Sequence, residues 1–296
     1  MLNVSSTFYV SCAPLSILFF FVSVDAQLLT HRSEAQGTPR DLTKGVIVVL
    51  SGGAFDAMNP EGVRNRMDKY IADANADPFV QANTGGKGLK FKLLPNQTSG
   101  HLHQAKWRKI CEALGLLDAT PIVLVGHSNG GAAAMNLARC LQSQGKSIDL
   151  NFTADSVLTL DDIGNVNQVP PNVRLNLNSY TIPTPAWLLA PFPIGNSNHR
   201  QVDNSLDGIL NIGLKYNLPG ALAHRNAFYD LAGGDEKSGG YKYPRLLLDV
   251  TLAVLHGQTN YEVIQGAVAP LQTLATKARV VIEVETTNFK TTLKPK

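Results

Sequence analysis

The chain has 296 residues, 44% of them hydrophobic and 17% charged, a balance that suits a buried globular core and excludes disorder, collagen and coiled coil. Its 26 Lys and Arg stand against 23 Asp and Glu. The resulting net charge of +3 is too weak and too dispersed to make a nucleic-acid-binding surface, so polyanionic partners are not implied.

The first 26 residues carry no Lys or Arg and one acid, Asp25, and their apolar run from Ser16 to Val24 ends in Val24-Asp25-Ala26, a small-residue cleavage signal. A secretory signal peptide over 1–26 is expected, and with it a secreted, periplasmic or extracellular protein. The apolar run is short for a membrane span, so no stable membrane insertion is expected after cleavage. Cleavage removes Cys12 and leaves Cys111 and Cys140, which in an exported protein either form one bridge or remain two buried thiols; their spacing does not choose. Sequons stand at Asn96-Gln97-Thr98 and Asn151-Phe152-Thr153.

In chain order, Gly45-Val-Ile-Val-Val-Leu50 is a continuous β-branched run, the pattern of a strand buried on both faces of a parallel sheet. Asn59-Pro60 opens a helix whose Val63, Met67, Tyr70, Ile71 and Ala74 recur at helical spacing. A short strand over Leu89 to Leu94 precedes a second helix with Trp107, Ile110, Cys111 and Leu114 on one stripe and Gly115 as its stop. Pro121 to Val125 reads as a third strand, Ala134, Leu137, Ala138 and Leu141 as a third helical stripe, and Ala154 to Leu160 as a fourth strand. Further on, Arg174 to Tyr180 and Ile212 to Leu218 read as strands around an insert, 181–207, that holds Trp187, Leu188, Leu189 and Phe192 among Pro, Asn and Ser. That insert either lies as a lid over the carboxyl edge of the sheet or packs on its outer face. Helices are expected over Leu246 to Leu255 and Val263 to Ala275, and an edge strand on Val280, Ile282 and Val284. Strands alternating with helices across short connections predict an α/β fold, doubly wound around a mostly parallel sheet with helices on both faces, in a single domain over 27–296.

The chemistry concentrates at Gly126-His127-Ser128-Asn129-Gly130, which fits G-x-S-x-G between a buried strand and an Ala-rich helix. Glycines two before and two after the serine permit the tight turn that lifts Ser128 above the carboxyl edge of a sheet, over a helix N-terminus. In that setting the chain resembles the alpha/beta hydrolases in their lipase-like branch. The residues that carry the resemblance are Val123 to Gly131, Val49-Leu-Ser-Gly-Gly-Ala-Phe55, Val157-Leu-Thr-Leu-Asp161 and Pro219-Gly-Ala-Leu-Ala-His224, within 45–256. The elbow is the specific piece among them.

The resemblance implies a Ser nucleophile followed in the chain by an acid and a His. His224, in a loop after a predicted strand, matches the family's base by position. His199 belongs to the insert, and His256 closes a helical stripe as a C-terminal cap. His127 is the variable residue of the motif. Asp161, at the predicted end of the strand after the elbow helix, matches the lipase variant of the acid position; Asp162 is the competing carboxylate. Oxyanion donors are expected from the N–H of Asn129 and from Gly53 or Ala54 after the first strand. His101 and His103 have no third ligand at useful spacing and read as a polar loop before a helix. The expected activity is therefore serine hydrolysis of a small-molecule or lipid carboxylic ester through an acyl-enzyme, with no cofactor and no metal. An amidase, peptidase or thioesterase of the same fold, or a catalytically silent binding member, remains the alternative.

Overall fold

The predicted first strand forms as β1 (Val46–Leu50), and every side chain in it is buried. The structure, a computed structural model, describes residues 41–52, 60–94, 100–156, 168–182, 208–215 and 245–296. All of these belong to one compact unit from Thr38 to Lys296; the expected signal peptide, residues 183–207 of the expected insert with Trp187 and Phe192, and His224 lie outside the described residues, while Thr181, the first residue of that expected insert, is the last residue of a buried strand.

After β1 come α1 (Pro60–Asn75), α2 (Pro78–Asn83), β2 (Lys90–Leu94), α3 (Gly100–Leu116), β3 (Ile122–His127), α4 (Asn129–Ser143) and β4 (Leu150–Ala154). The chain continues through β5 (Asn176–Thr181), β6 (Ile209–Lys215), α5 (Arg245–Leu255), α6 (Asn260–Val268), α7 (Leu271–Ala278), β7 (Val281–Thr286) and β8 (Lys290–Leu293). Among the described residues these strands form one eight-stranded sheet ordered β2-β1-β3-β4-β5-β6-β7-β8. The pairs from β2 through β6 are parallel, and β6–β7 and β7–β8 are antiparallel. This is the doubly wound, mostly parallel α/β architecture expected, with helices on both faces of the sheet.

Alternate residues of the central strands feed two cores. Val46, Val48, Leu50, Ile122 and Leu124 pack with Trp107, Cys111 and Leu114 of α3 and with Met135, Leu137 and Leu141 of α4. Ile47, Val49, Val123, Val125, Leu150 and Phe152 pack on the other face with Met67, Tyr70 and Ile71 of α1 and with α5 and α6. A sheet covered on both faces buries its strands fully, which is why β1 and β3 are continuous apolar runs. Across the second core the Tyr70 hydroxyl and Thr251 Oγ1 share a buried hydrogen bond of 2.8 Å. Burial pushes the Tyr70 phenol well above its usual range, with the bond to Thr251 opposing the shift. Within the first core Cys111 and Cys140 form a disulfide joining α3 to α4, which resolves the alternative the spacing left open.

Several elements differ from the sequence expectation. The fourth strand covers Leu150–Ala154, not Ala154 to Leu160. Its Leu150, Phe152 and Ala154 face the second core, while Asn151 and Thr153 are buried on the other face. There Asn151 Nδ2 donates to Asn176 Oδ1 at 2.7 Å, Thr153 Oγ1 to Asn178 Oδ1 at 3.1 Å, and Asn178 Nδ2 to Asn211 Oδ1 at 3.1 Å. Because Asn151 is sealed inside the sheet, its sequon is no acceptor in the folded protein. The strand expected from Ile212 begins at Ile209 and ends at Lys215. The helix expected over Val263 to Ala275 is two helices separated at Pro270, which has no N–H for the helical ladder. The expected edge strand is interior, since β8 pairs along its outer side. Helix α2 was not anticipated; Asp77 caps it by accepting from the N–H groups of Phe79 and Val80. The same carboxylate meets His256 Nε2 at 2.9 Å, so His256 ties the end of α5 to α2.

Candidate active site

The strand order creates the site. From β1 the chain moves outward to β2, then returns by α3 to place β3 on the opposite side of β1. After β1 it turns toward α1 on one face; after β3 it enters α4 on the other. The carboxyl ends of these two neighbours, paired up to Leu50 and Gly126, form a topological switch point, the place where open α/β sheets bind ligands. Ser51 and Gly52 follow the end of β1 there, and Ser128 follows the end of β3.

Ser128 has φ 56° and ψ −128°, a conformation outside the regions favoured by L side chains. It occupies the N-cap position of α4, yet its side chain makes no cap hydrogen bond, so the hydroxyl is not consumed in closing the helix. Its backbone is held instead: the Ser128 N–H donates to Ala154 O at 2.9 Å, and Ser128 O accepts from the Gly131 N–H at 2.9 Å. The flanking glycines are there for space. A Cβ on Gly130 would lie 2.0 Å from Leu50 O, so only glycine lets the start of α4 pass against the end of β1. A Cβ on Gly52 would lie 2.7 Å from Ser128 Cβ and 2.9 Å from His127 O, which shows how closely the chain leaving β1 approaches the elbow. Gly53 and Ala54, the expected oxyanion donors, follow immediately but lie outside the described residues. Asn129 is the first residue of α4, so its N–H belongs to the turn for which a helix supplies no internal acceptor.

At the carboxyl edge next to the strand that carries Ser128 stands an acid absent from the sequence expectation, Asp155. β4 pairs with β3 so that Ala154 faces His127, and the next residue beyond Ala154 is Asp155. It is fully buried and has φ 43°. The Asp155 N–H donates to Ser179 O at 2.7 Å. Its Oδ1 accepts from the Thr181 N–H at 3.0 Å, and its Oδ2 from Thr181 Oγ1 at 2.9 Å. Asp161 and Asp162 lie outside the described residues, as does His224, so the expected triad is represented here by Ser128 alone. The signal for Asp155 was the alternation Leu150-Asn-Phe-Thr-Ala154 that precedes it, masked by the more apolar stretch that follows. Among the described residues no three His, Cys, Asp or Glu side chains lie close enough to hold a metal ion, and no helix is long and apolar enough to cross a membrane.

No family model and no curated protein matches the chain. Among solved structures, one neighbour is a proposed cell surface hydrolase from Lactobacillus plantarum WCFS1, at 13% identity and a TM-score of 0.44, with 76% of this chain and 96% of that chain covered.

Proposed function

We propose that the protein is a serine hydrolase that cleaves carboxylic esters through an acyl-enzyme on Ser128. The observation that carries this reading is the backbone of Ser128: a strained serine at the switch point of the sheet, its hydroxyl left out of the helix cap, with Gly52 pressed against it. Such strain persists only where the surrounding structure over-determines it, and it is characteristic of functional positions. A serine that merely began a helix would adopt extended φ and ψ and use its oxygen as the cap.

In the proposed cycle Ser128 Oγ attacks the ester carbonyl carbon while its proton passes to the imidazole of His224. The negative charge developing on the carbonyl oxygen is received by the Asn129 N–H and by one from Gly53 or Ala54. The imidazole returns its proton to the departing alcohol, and a water activated in the same way then releases the acid and restores Ser128. A carboxylate orients the imidazole. The sequence points to Asp161 for that role, whereas the strand after the elbow helix ends at Ala154, one residue before Asp155. Neither metal nor cofactor is required by these steps. The Cys111–Cys140 bridge supports an oxidising, exported setting for the mature chain.

A fluorophosphonate probe tests the reading directly, followed by a panel of p-nitrophenyl esters of increasing chain length. The wild-type chain is expected to be labelled on Ser128 and to hydrolyse esters, and Ser128→Ala to do neither. Labelling without ester hydrolysis would move the assignment to an amide or thioester substrate. A chain inert to both probe and esters would be a silent member of the fold, and the enzymatic reading would be wrong.

A further inference from the structure

We propose that Asp155 is the carboxylate that orients the base serving Ser128, and that Thr181 is the residue that holds it in place. The inference rests on the reading of Ser128 as nucleophile and assigns the one partner of that residue which the described part of the fold supplies. Two carboxylates are buried among the described residues, Asp149 and Asp155. Asp149 precedes β4, at the amino edge, where it accepts from the Ile122 N–H and pairs with Arg174. Asp155 lies at the carboxyl edge, one residue beyond Ala154, whose carbonyl accepts from the Ser128 N–H.

The contacts of Asp155 set it apart from a structural side chain. Burying a carboxylate is costly, and here each oxygen accepts a hydrogen bond from Thr181, one from its N–H and one from its hydroxyl. Thr181 is the last residue of β5 and is itself buried, so the two hydrogen bonds fix the plane of the carboxylate against the end of a strand. A neutral asparagine would satisfy the same two groups, because its carbonyl accepts from the N–H and its amide donates to the hydroxyl oxygen. Tying the ends of β4 and β5 together therefore does not need a charge. Orienting an imidazole that becomes cationic does, because the carboxylate fixes the tautomer of the ring and stabilises the imidazolium. The positive φ of Asp155 has the same sense, since it turns the chain out of the strand at the residue whose side chain must stay at the edge beside Ser128.

The test uses the full chain and four variants: Asp155→Asn, Asp161→Asn, Thr181→Val and Thr181→Ser, each measured for kcat and KM on a p-nitrophenyl ester, for fluorophosphonate labelling and for melting temperature. Asp155→Asn keeps the two hydrogen bonds with Thr181 and loses the charge, so kcat is expected to fall by about 10⁴ with KM and melting temperature close to the parent values. Thr181→Val leaves the N–H bond and removes the hydroxyl bond; kcat is expected to drop about tenfold to hundredfold at unchanged KM, and Thr181→Ser to restore it to within about threefold. If Asp155→Asn does not fold, the Thr181 pair decides. A labelled and active parent whose Asp155→Asn and Thr181→Val variants stay within threefold in kcat overturns the assignment, as does a 10⁴-fold loss found in Asp161→Asn instead. A parent that is neither labelled nor active rejects the Ser128 reading itself, and Asp155 with it.

Discussion

Replacing Gly52 by alanine is a sharp test of the close approach between the chain leaving β1 and the turn at Ser128. The added Cβ would stand 2.7 Å from Ser128 Cβ, 2.9 Å from His127 O and 3.0 Å from His127 Nδ1. Carbon atoms in contact prefer about 3.5–4.0 Å, so the two segments must separate by roughly 1 Å. Neither yields easily: the elbow is pinned by the Ser128 N–H bond to Ala154 O and by the packing of Gly130 beneath Leu50 O. Overpacking of this kind costs about 1–3 kcal/mol, which in a domain of this size lowers the melting temperature by roughly 2–10 °C. The effect on catalysis should be larger, because a 1 Å displacement of reacting groups costs about 10²-fold and the same shift moves the chain leading to Gly53 and Ala54. The expected result is a fall of about 10²-fold in kcat/KM for a p-nitrophenyl ester, with a parallel slowing of fluorophosphonate labelling and a folded protein by thermal melt. Gly145→Ala is the control, since that glycine has φ +69° and open space around it at the far end of α4. It should lose stability and no activity. A Gly52→Ala variant whose kcat/KM stays within threefold of the parent would refute the geometry argued for the site.

The strain at Ser128 predicts that Ser128→Gly melts above Ser128→Ala, by about 1–3 kcal/mol in unfolding free energy, with both variants inactive; equal stabilities would remove the argument from backbone strain. The disulfide closes a separation of 29 residues, so replacing Cys111 and Cys140 together by alanine should cost about 3–4 kcal/mol, read as a lowered denaturation midpoint that reductant no longer changes. Tyr70→Phe leaves Thr251 without its phenol partner and is expected to cost about 1 kcal/mol near neutral pH. Because burial raises the Tyr70 pKa in the folded state, its stabilising contribution is intact below pH 10, the ordinary tyrosine value, and is lost as pH rises above it; Tyr70→Phe should flatten that alkaline decline in a urea titration across pH 9 to 11. Alanine at Trp187 and Phe192 together is expected to change the preference among esters of different chain length with little change in melting temperature, whereas lost stability with an unchanged profile would place the 181–207 insert away from the pocket.

Features that depend on neighbours along the chain are legible before folding. β1 and β3 are readable because a strand covered on both faces is apolar at every position. The elbow is readable because a serine between closely spaced glycines at a strand-to-helix junction is a matter of turn geometry, and α1, α3 and α4 show their buried stripes at helical spacing. Cys111 and Cys140 could be named as partners, but whether they bridge waited on the packing of α3 against α4. Groups that satisfy one another across distant strands are legible only in the folded chain. Asn151, Thr153, Asn176, Asn178 and Asn211 look too polar for a buried sheet until adjacent strands bring amide to amide, and Asn178 finds Asn211 33 residues away. The apolar stretch after Ala154 therefore drew the predicted strand past its true end and the expected acid to Asp161. Asp155 is a buried charge that no periodicity announces. Its place became visible only when β5 delivered Thr181, 26 residues later in the chain, to hold both of its oxygens, because the cost of burying a carboxylate is set by the donors that reach it in space.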